Sequence, residues 1–88
     1  MTEQILQRQI IKYLKTRGWA VVTIQSSKRG TPDIIACIDG QFVAIEVKSP
    51  GKLNTLKAIQ KFQLDNITKA GGIAFAADSL ETVKKYIK

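Results

Sequence analysis

No histidine occurs among the 88 residues. Its absence excludes Ser-His-Asp and Cys-His nucleophilic triads and the usual zinc ligand sets. Cysteine occurs once, at Cys37, so no internal disulfide can form, and with no signal peptide in evidence an intracellular location is expected. Lying mid-strand, Cys37 is expected to act as a small core hydrophobe. No apolar run is long enough to span a bilayer, and no helical stretch pairs a broad apolar face with a dense basic one, so no membrane partner is expected. P-loop, G-x-G-x-x-G and C-x-x-C patterns are missing too. The chemistry left to this chain is that of carboxylates, amines, amides and any metal they hold.

Acids are also scarce. Lys and Arg number 14 against 7 Asp and Glu, for a formal charge of +7. Three of those acids, Glu3, Asp33 and Glu46, are drawn below to one pocket, which leaves the remaining surface more basic still. That balance points to a polyanionic partner, nucleic acid before membrane. Hydrophobic residues make up 44% of the chain, enough for a folded state rather than disorder. Residues 1–88 read as a single domain whose modest core would gain from a partner subunit.

Two neighbouring stretches organise the rest. Pro32 to Ile38 and Gln41 to Lys48 are rich in β-branched and aromatic residues, and Asp39-Gly40 between them is a favoured two-residue hairpin turn. Opposed residues in such a hairpin have a constant index sum. Ile38 therefore faces Gln41, Cys37 faces Phe42, and Asp33 faces Glu46, with Cβ atoms roughly 4.5–5.5 Å apart. Lys48 falls on the same face as Glu46, about 7 Å further along. Directly opposed like charges destabilise a sheet unless something cationic lies between them. A hard divalent metal with oxygen ligands fits that place, and a lysine beside it suits phosphate chemistry. An ordinary Glu46–Lys48 pair on a solvated strand is the competing reading. Against it, Phe42 and Ala44 share the face of Glu46 and Lys48, while Val43, Ile45 and Val47 line the other. A strand apolar on both faces is expected to be covered on both sides, and charges withdrawn from water require partners.

In order, the chain reads helix, three strands, helix, strand, helix. Thr2 is expected to cap a first helix running to about Thr16, with Leu6, Ile10, Tyr13 and Leu14 at helical spacing and Gly18 ending it. Glu3 lies on that apolar stripe, which suits either a dipole-favoured acid in the first turn or one directed to the carboxylate pocket. Trp19 to Gln25 reads as the first strand. Ser26 to Thr31 follows as a polar, basic loop in which Lys28 and Arg29, close to Asp33, are candidates to grip phosphate; Lys52, in the turn after Lys48, is another. Asn54 or Thr55 is expected to cap a helix reaching about Ala70, with Leu56, Ile59, Phe62, Leu64 and Ile67 inward and Gln60 bordering that side. Gly72 to Ala77 is a wholly apolar strand, expected in the sheet interior and parallel to the third strand. Asp78 or Ser79 then caps a last helix, with Leu80, Val83 and Ile87 inward.

Gly30-Thr31-Pro32-Asp33, then Glu46-Val47-Lys48, then a helix bearing Gln60 and ending Ala70-Gly71-Gly72 resemble the virus-type replication-repair nuclease (VRR-NUC) family of the PD-(D/E)xK superfamily. The resemblance runs from Glu3 to the last helix. It implies an α/β, restriction-endonuclease-like α-β-β-β-α-β core, with a mixed sheet flanked by helices, and a divalent-metal phosphodiesterase using Mg²⁺ or Mn²⁺. By position Asp33 and Glu46 would hold the metal, with the Val47 carbonyl as a backbone ligand. Lys48 would act on the attacking water and the transition state, and Glu3 and Gln60 match accessory positions. The stretch from Leu53 to Ile59 is longer than the pattern expects, so Gln63 competes with Gln60.

Members lacking an appended DNA-binding domain resemble structure-selective endonucleases, including resolvases of four-way junctions. The expected activity is therefore endonucleolytic cleavage of branched DNA, by a homodimer with Ile5, Ile11, Trp19 and Phe75 as candidate shared surface, in the cytoplasm or nucleoid. A non-catalytic basic nucleic-acid-binding module and an RNA-cleaving nuclease on the same fold are the alternatives.

Overall fold

A computed structural model describes residues 1–24 and 28–88. The end of the expected first strand at Gln25, and Ser26 and Ser27 of the basic loop, lie outside the described residues. The elements run α1 (Glu3–Lys15), β1 (Trp19–Val22), β2 (Ile34–Ile38), β3 (Gln41–Val47), a 3₁₀ turn (Leu53–Thr55), α2 (Ala58–Lys69), β4 (Ile73–Ala77) and α3 (Leu80–Tyr86). The four strands form one sheet in the order β1-β2-β3-β4. The first two pairings are antiparallel and β3–β4 is parallel, so the sheet is mixed, as the sequence led us to expect.

The β2–β3 hairpin forms in the register its turn dictates. Ile34 pairs with Ile45, Cys37 with Phe42 and Ile38 with Gln41. Asp39 and Gly40 both adopt positive φ, 52° and 78°, as a two-residue turn matched to the strand twist requires. Asp39 tolerates this because a short polar side chain pays little steric penalty in the left-handed region.

One sheet face is packed under α1 and α3. Leu6, Ile10 and Leu14 of α1 are buried against Ala20, Ala36, Val43 and Ile45 of the sheet and Val83 and Ile87 from the C-terminal segment. Thr2 caps α1 by accepting the Ile5 N–H at 3.2 Å, and Ser79 caps α3 by accepting from Thr82 at 3.2 Å. The other face is only half covered, because α2 lies over β3 and β4.

That asymmetry corrects several expectations. Cys37 is exposed, not a core residue, and Phe42 is 46% exposed. Cys37 belongs to the half of the face that α2 does not reach; Phe42, in the same cross-strand row with Trp19, stands at the turn end of β3 beside the C-terminal end of α2 and is only partly covered by it. Strand β4 sits at the sheet edge rather than inside; its apolar character follows from helices on both of its faces, α2 and α3. Phe75 is buried and stacked on Tyr86 at 4.0 Å between ring centroids, which removes it from any shared surface. Helix α2 starts later than expected. Thr55 Oγ bonds back to the Lys52 carbonyl, closing the 3₁₀ turn, and Leu56 is extended (φ −60°, ψ 123°), so helix resumes only after Lys57. Phe62, expected inward, is exposed.

Gly18 joins α1 to β1 at a point of close approach. A Cβ there would collide with the Cys37 carbonyl oxygen and lie 3.0 Å from Ile38 Cδ1, and backbone cannot swing aside as a flexible side chain can. Gly51, with φ +79°, has open space where its Cβ would be. Gly18→Ala is expected to cost about 3 kcal/mol and lower the Tm by about 10 °C or more. Gly51→Ala should cost about 1 kcal/mol, from backbone strain alone. Thermal melts of the two variants, side by side, check the ordering.

Candidate active site

The hairpin register carries Asp33, one residue before β2, to the flank of Glu46. Thr23 fixes the approach: its Oγ donates to the Pro32 carbonyl at 2.6 Å and its N–H to the Asp33 carbonyl at 2.8 Å. The Asp33 side chain then accepts the Val47 N–H through Oδ2 at 2.8 Å. The next amide along, Lys48 N–H, bonds to Ala77 of β4 at 2.9 Å. Successive residues of a strand address opposite neighbours. Val47 therefore presents its carbonyl as well as its N–H toward the Asp33 side, where β2 has ended.

Glu46 is 4% exposed and Lys48 8%. Charges at that depth are costly to keep unpartnered, and the Glu46 carboxylate is only half satisfied. Its Oε2 accepts from Gln60 Nε2 at 3.1 Å and lies 3.8 Å from Lys48 Nζ. As a carboxylate its Oε1 is buried with no donor to accept from. Burial, and then the Asp33 carboxylate, through its charge and a hydrogen bond between the two groups, push the Glu46 carboxyl up to about 8; Lys48 works against the shift and Glu3 adds to it. Without a further cation the protein thus holds Glu46 largely protonated at neutral pH.

Gln60 is fixed by a second contact. Its Oε1 accepts the Lys57 N–H at 2.9 Å, half of a reciprocal helix-start arrangement. With the oxygen engaged by an amide that can only donate, the amide nitrogen is left to face Glu46. Gln63 is placed elsewhere, donating to the Arg29 carbonyl at 3.3 Å. Gln60, not Gln63, is the glutamine that touches the carboxylates.

A cavity of about 210 Å³ opens beside the pair, lined by Arg29, Gly30, Thr31, Asp33, Glu46, Lys57, Ile59 and Gln60. Of the residues singled out from the sequence, Asp33, Glu46, Gln60 and Arg29 meet there. Lys48 sits behind Glu46, outside the lining. Glu3, half-buried in the first turn of α1, acts on Glu46 through space without a hydrogen bond to it. Lys28 and Lys52 are exposed and lie outside the lining. Lys57 escaped the sequence reading. No sequence signal marked it, because lysine carries no acceptor to cap a helix and Asn54 and Thr55 are the better capping residues.

Among the described residues no group of three or more His, Cys, Asp or Glu side chains is arranged to hold a metal. Any metal here would rest on two carboxylates and backbone oxygen. The donor set does fit a hard divalent cation: all ligands are oxygen, two acidic side chains are juxtaposed, and one buried carboxylate oxygen has no partner. The same place cannot suit a softer metal, for no thiolate or imidazole is near.

Comparison with solved structures gives the fold's relatives. One, described as a VRR_NUC domain, superposes with a TM-score of 0.83 at 21% identity, covering 99% of this chain and 96% of that one. Another, a VRR_NUC domain protein, gives 0.76 at 21% identity, with 99% and 88% covered. No curated protein matches the sequence. The fold is thus that of VRR-NUC domains, as the motif resemblance implied. A family model described as archaeal Holliday junction resolvase (Hjc) matches residues 4–84, and with nearly the whole chain inside that match this protein belongs to the Hjc family, relatives of the PD-(D/E)xK nucleases.

Proposed function

We propose that this chain is a divalent-metal-dependent endonuclease that cuts branched DNA, four-way junctions above all. The observation that carries the reading is the buried Glu46 Oε1, unpartnered beside the Asp33 carboxylate, in a chain of the Hjc family. Asp33, Glu46 and the Val47 carbonyl would hold the metal, Mg²⁺ or Mn²⁺ by the oxygen donor set. Bound there, a divalent cation supplies Lewis-acid activation of the attacking water and of the scissile phosphate.

The chain's own groups complete the chemistry. Attack of water oxygen on phosphorus forms one P–O bond as the bond to the leaving sugar oxygen breaks, and negative charge builds on the phosphoryl oxygens. Lys48 brings a positive Nζ to that charge from a site already shielded from water, where electrostatic stabilisation is strongest. We assign it this electrostatic role rather than that of general base. Gln60 holds Oε2 of Glu46 and leaves Oε1 for the metal. The basic surface grips the DNA backbone without reading bases, so binding should be sensitive to salt and tolerant of sequence. No helix among the described residues is long and apolar enough to cross a membrane. In this reading the DNA substrate would have the protein act in the cytoplasm or nucleoid.

The active unit in this reading is a homodimer, since a four-way junction asks for paired cuts by two equivalent sites. The uncovered half of the sheet offers the contact. Trp19 (55% exposed), Cys37 and Phe42 lie in one cross-strand row, with Val21 in the next, a continuous apolar patch of the kind that marks an interface. Ile5 is exposed too but lies on α1, across the sheet from this patch, and Ile11 packs against the core.

The metal assignment has a pH signature. A carboxyl whose pKa is raised on folding stabilises the fold below its unfolded value, near 4.5, and loses that contribution as pH rises through about 8. In EDTA the wild type should therefore lose stability relative to Glu46→Gln between about pH 4.5 and 8. Added Mn²⁺ should raise the wild-type Tm more at pH 8 than at pH 5, because the metal must displace the Glu46 proton. Neither Glu46→Gln nor Asp33→Asn should show the metal-induced rise, and neither should cleave junctions. Melting curves across that pH range, with and without metal, check all of this.

Lys48→Met keeps the apolar stem and removes the charge. Single-turnover cleavage is expected to slow by at least ~10²-fold, with junction affinity changed far less. Equal losses in rate and affinity would make Lys48 a phosphate anchor instead.

For the dimer, light scattering should give a mass near twice 9.8 kDa, and a Trp19→Lys/Phe42→Lys double variant should run as a monomer. That variant should nick junctions on one strand without paired cuts; a wild type that is monomeric at working concentration contradicts the homodimer.

A further inference from the structure

We propose that the side of the cavity at the N-terminus of α2, across the same cavity from the carboxylate pair, is a phosphate-binding subsite for the substrate strand, with Lys57 and Arg29 as its cations; the proposal rests on the nuclease reading above and says where one non-scissile phosphate is held. Both cations line the cavity together with Asp33 and Glu46. Among the described residues the ion pairs are Arg17–Asp39, Lys48–Glu46 and Lys61–Asp65, so neither Lys57 nor Arg29 is neutralised by a carboxylate of the chain. Two uncommitted cations facing a concavity form a ready site for an anion, and arginine suits phosphate by its planar fork of donors.

The surroundings support the same occupant. Helix α2 spans twelve residues, so its N-terminus carries the partial positive charge of a full macrodipole. Lys57 at the N-cap offers no side-chain acceptor to the first-turn amides, and the Gln60 oxygen caps the Lys57 N–H alone. First-turn amides without a side-chain acceptor are suited to phosphate oxygens. Asp33 and Glu46 share the lining, and a divalent cation held on them, as proposed above, would offset their charge toward a phosphate.

The loop carrying Arg29 is held in place for the task. Gly30 has φ +76°, and a Cβ on it would lie 2.6 Å from the Ile59 carbonyl oxygen, so only glycine lets the loop reach the first turn of α2. Gln63 ties the Arg29 carbonyl to the same helix, and Thr31 closes the turn through its Oγ to the Lys28 carbonyl at 2.6 Å. The backbones of Arg29 and Lys57 are thereby set across one opening from two different elements. Phosphate held between their side chains would orient the neighbouring bond for attack.

The test is binding of a fluorescent four-way junction in EDTA across a salt series, by wild type, Lys57→Met, Lys57→Arg and Lys85→Met, the last removing an exposed lysine of α3. Lys57→Met should weaken binding by about 3-fold to 10-fold and flatten the salt dependence by about one phosphate contact. Lys57→Arg should restore both, and Lys85→Met should match wild type. Junctions carrying a neutral methylphosphonate at each position near the branch then locate the contact: at one position the loss should not add to that of Lys57→Met. Lys57→Met behaving like Lys85→Met, or losses additive at every position, overturns the subsite. A wild type that binds junctions but does not cut them with Mg²⁺ or Mn²⁺ defeats the nuclease reading alone, because the Lys57 comparison is made without metal. A wild type that binds no junction defeats both.

Discussion

Two acidic side chains are held together where the fold alone cannot neutralise them, and the site is arranged around that conflict. The β2–β3 register sets Asp33 against Glu46, and burial removes the water that would screen them. The groups supplied by the chain relieve the conflict only in part: Lys48 and Gln60 both address one oxygen of Glu46, and the other oxygen is left over. Raising the Glu46 carboxyl to about 8 is how the protein tolerates the arrangement without a cation. A divalent ion, in our proposal, replaces that proton. Structural ion pairs also perturb carboxylates; here the perturbed acid lies against a second acid with which it shares a proton, the place a divalent ion takes in our proposal.

Helix α2 decides what else the site can do. It covers β3 and β4 and leaves β1 and β2 bare on the same face. Its first turn brings Gln60 to Glu46 and opens a cavity toward Arg29. At the other end of that face, Trp19 and Cys37 on the bare strands and Phe42 at the turn end of β3 are exposed. One face thus offers a polar pocket at the open end of the hairpin and an apolar patch near its turn. Catalytic chemistry and subunit contact, as proposed, are kept apart by the length of β3.

The reading of the sequence succeeded where structure is set locally and failed where it depends on how far one element extends over another. Helix α1 follows its apolar spacing, with Leu6, Ile10 and Leu14 buried and Thr2 as cap. Ser79 and Gly71 likewise stand at the ends their chemistry suits. Cys37 and Phe42 were misjudged because apolar alternation announces a face fit for covering without saying whether a helix reaches it. An apolar strand such as β4 reads the same whether its neighbours are strands or helices, so its edge position was invisible. The start of α2 was misplaced because Asn54 and Thr55 have good capping chemistry for a helix that begins only after Lys57, and Lys57 at the pocket was missed with it.

What the sequence by itself determined is the pairing of Asp33 with Glu46. Asp39-Gly40 favours one turn type, that turn permits one register, and the register counts outward to the two acids with no help from distant residues. Lys48 on the face of Glu46 follows from the same alternation. Only the tertiary structure decided that Glu46 is buried, that Gln60 rather than Gln63 meets it, and that Arg29 and Lys57 face one cavity while Lys28 and Lys52 do not. The physical reason is range. Turn and strand geometry act over a few bonds, whereas burial and the choice of glutamine depend on where α2 comes to rest on the sheet, a balance of packing contacts between segments far apart in the chain.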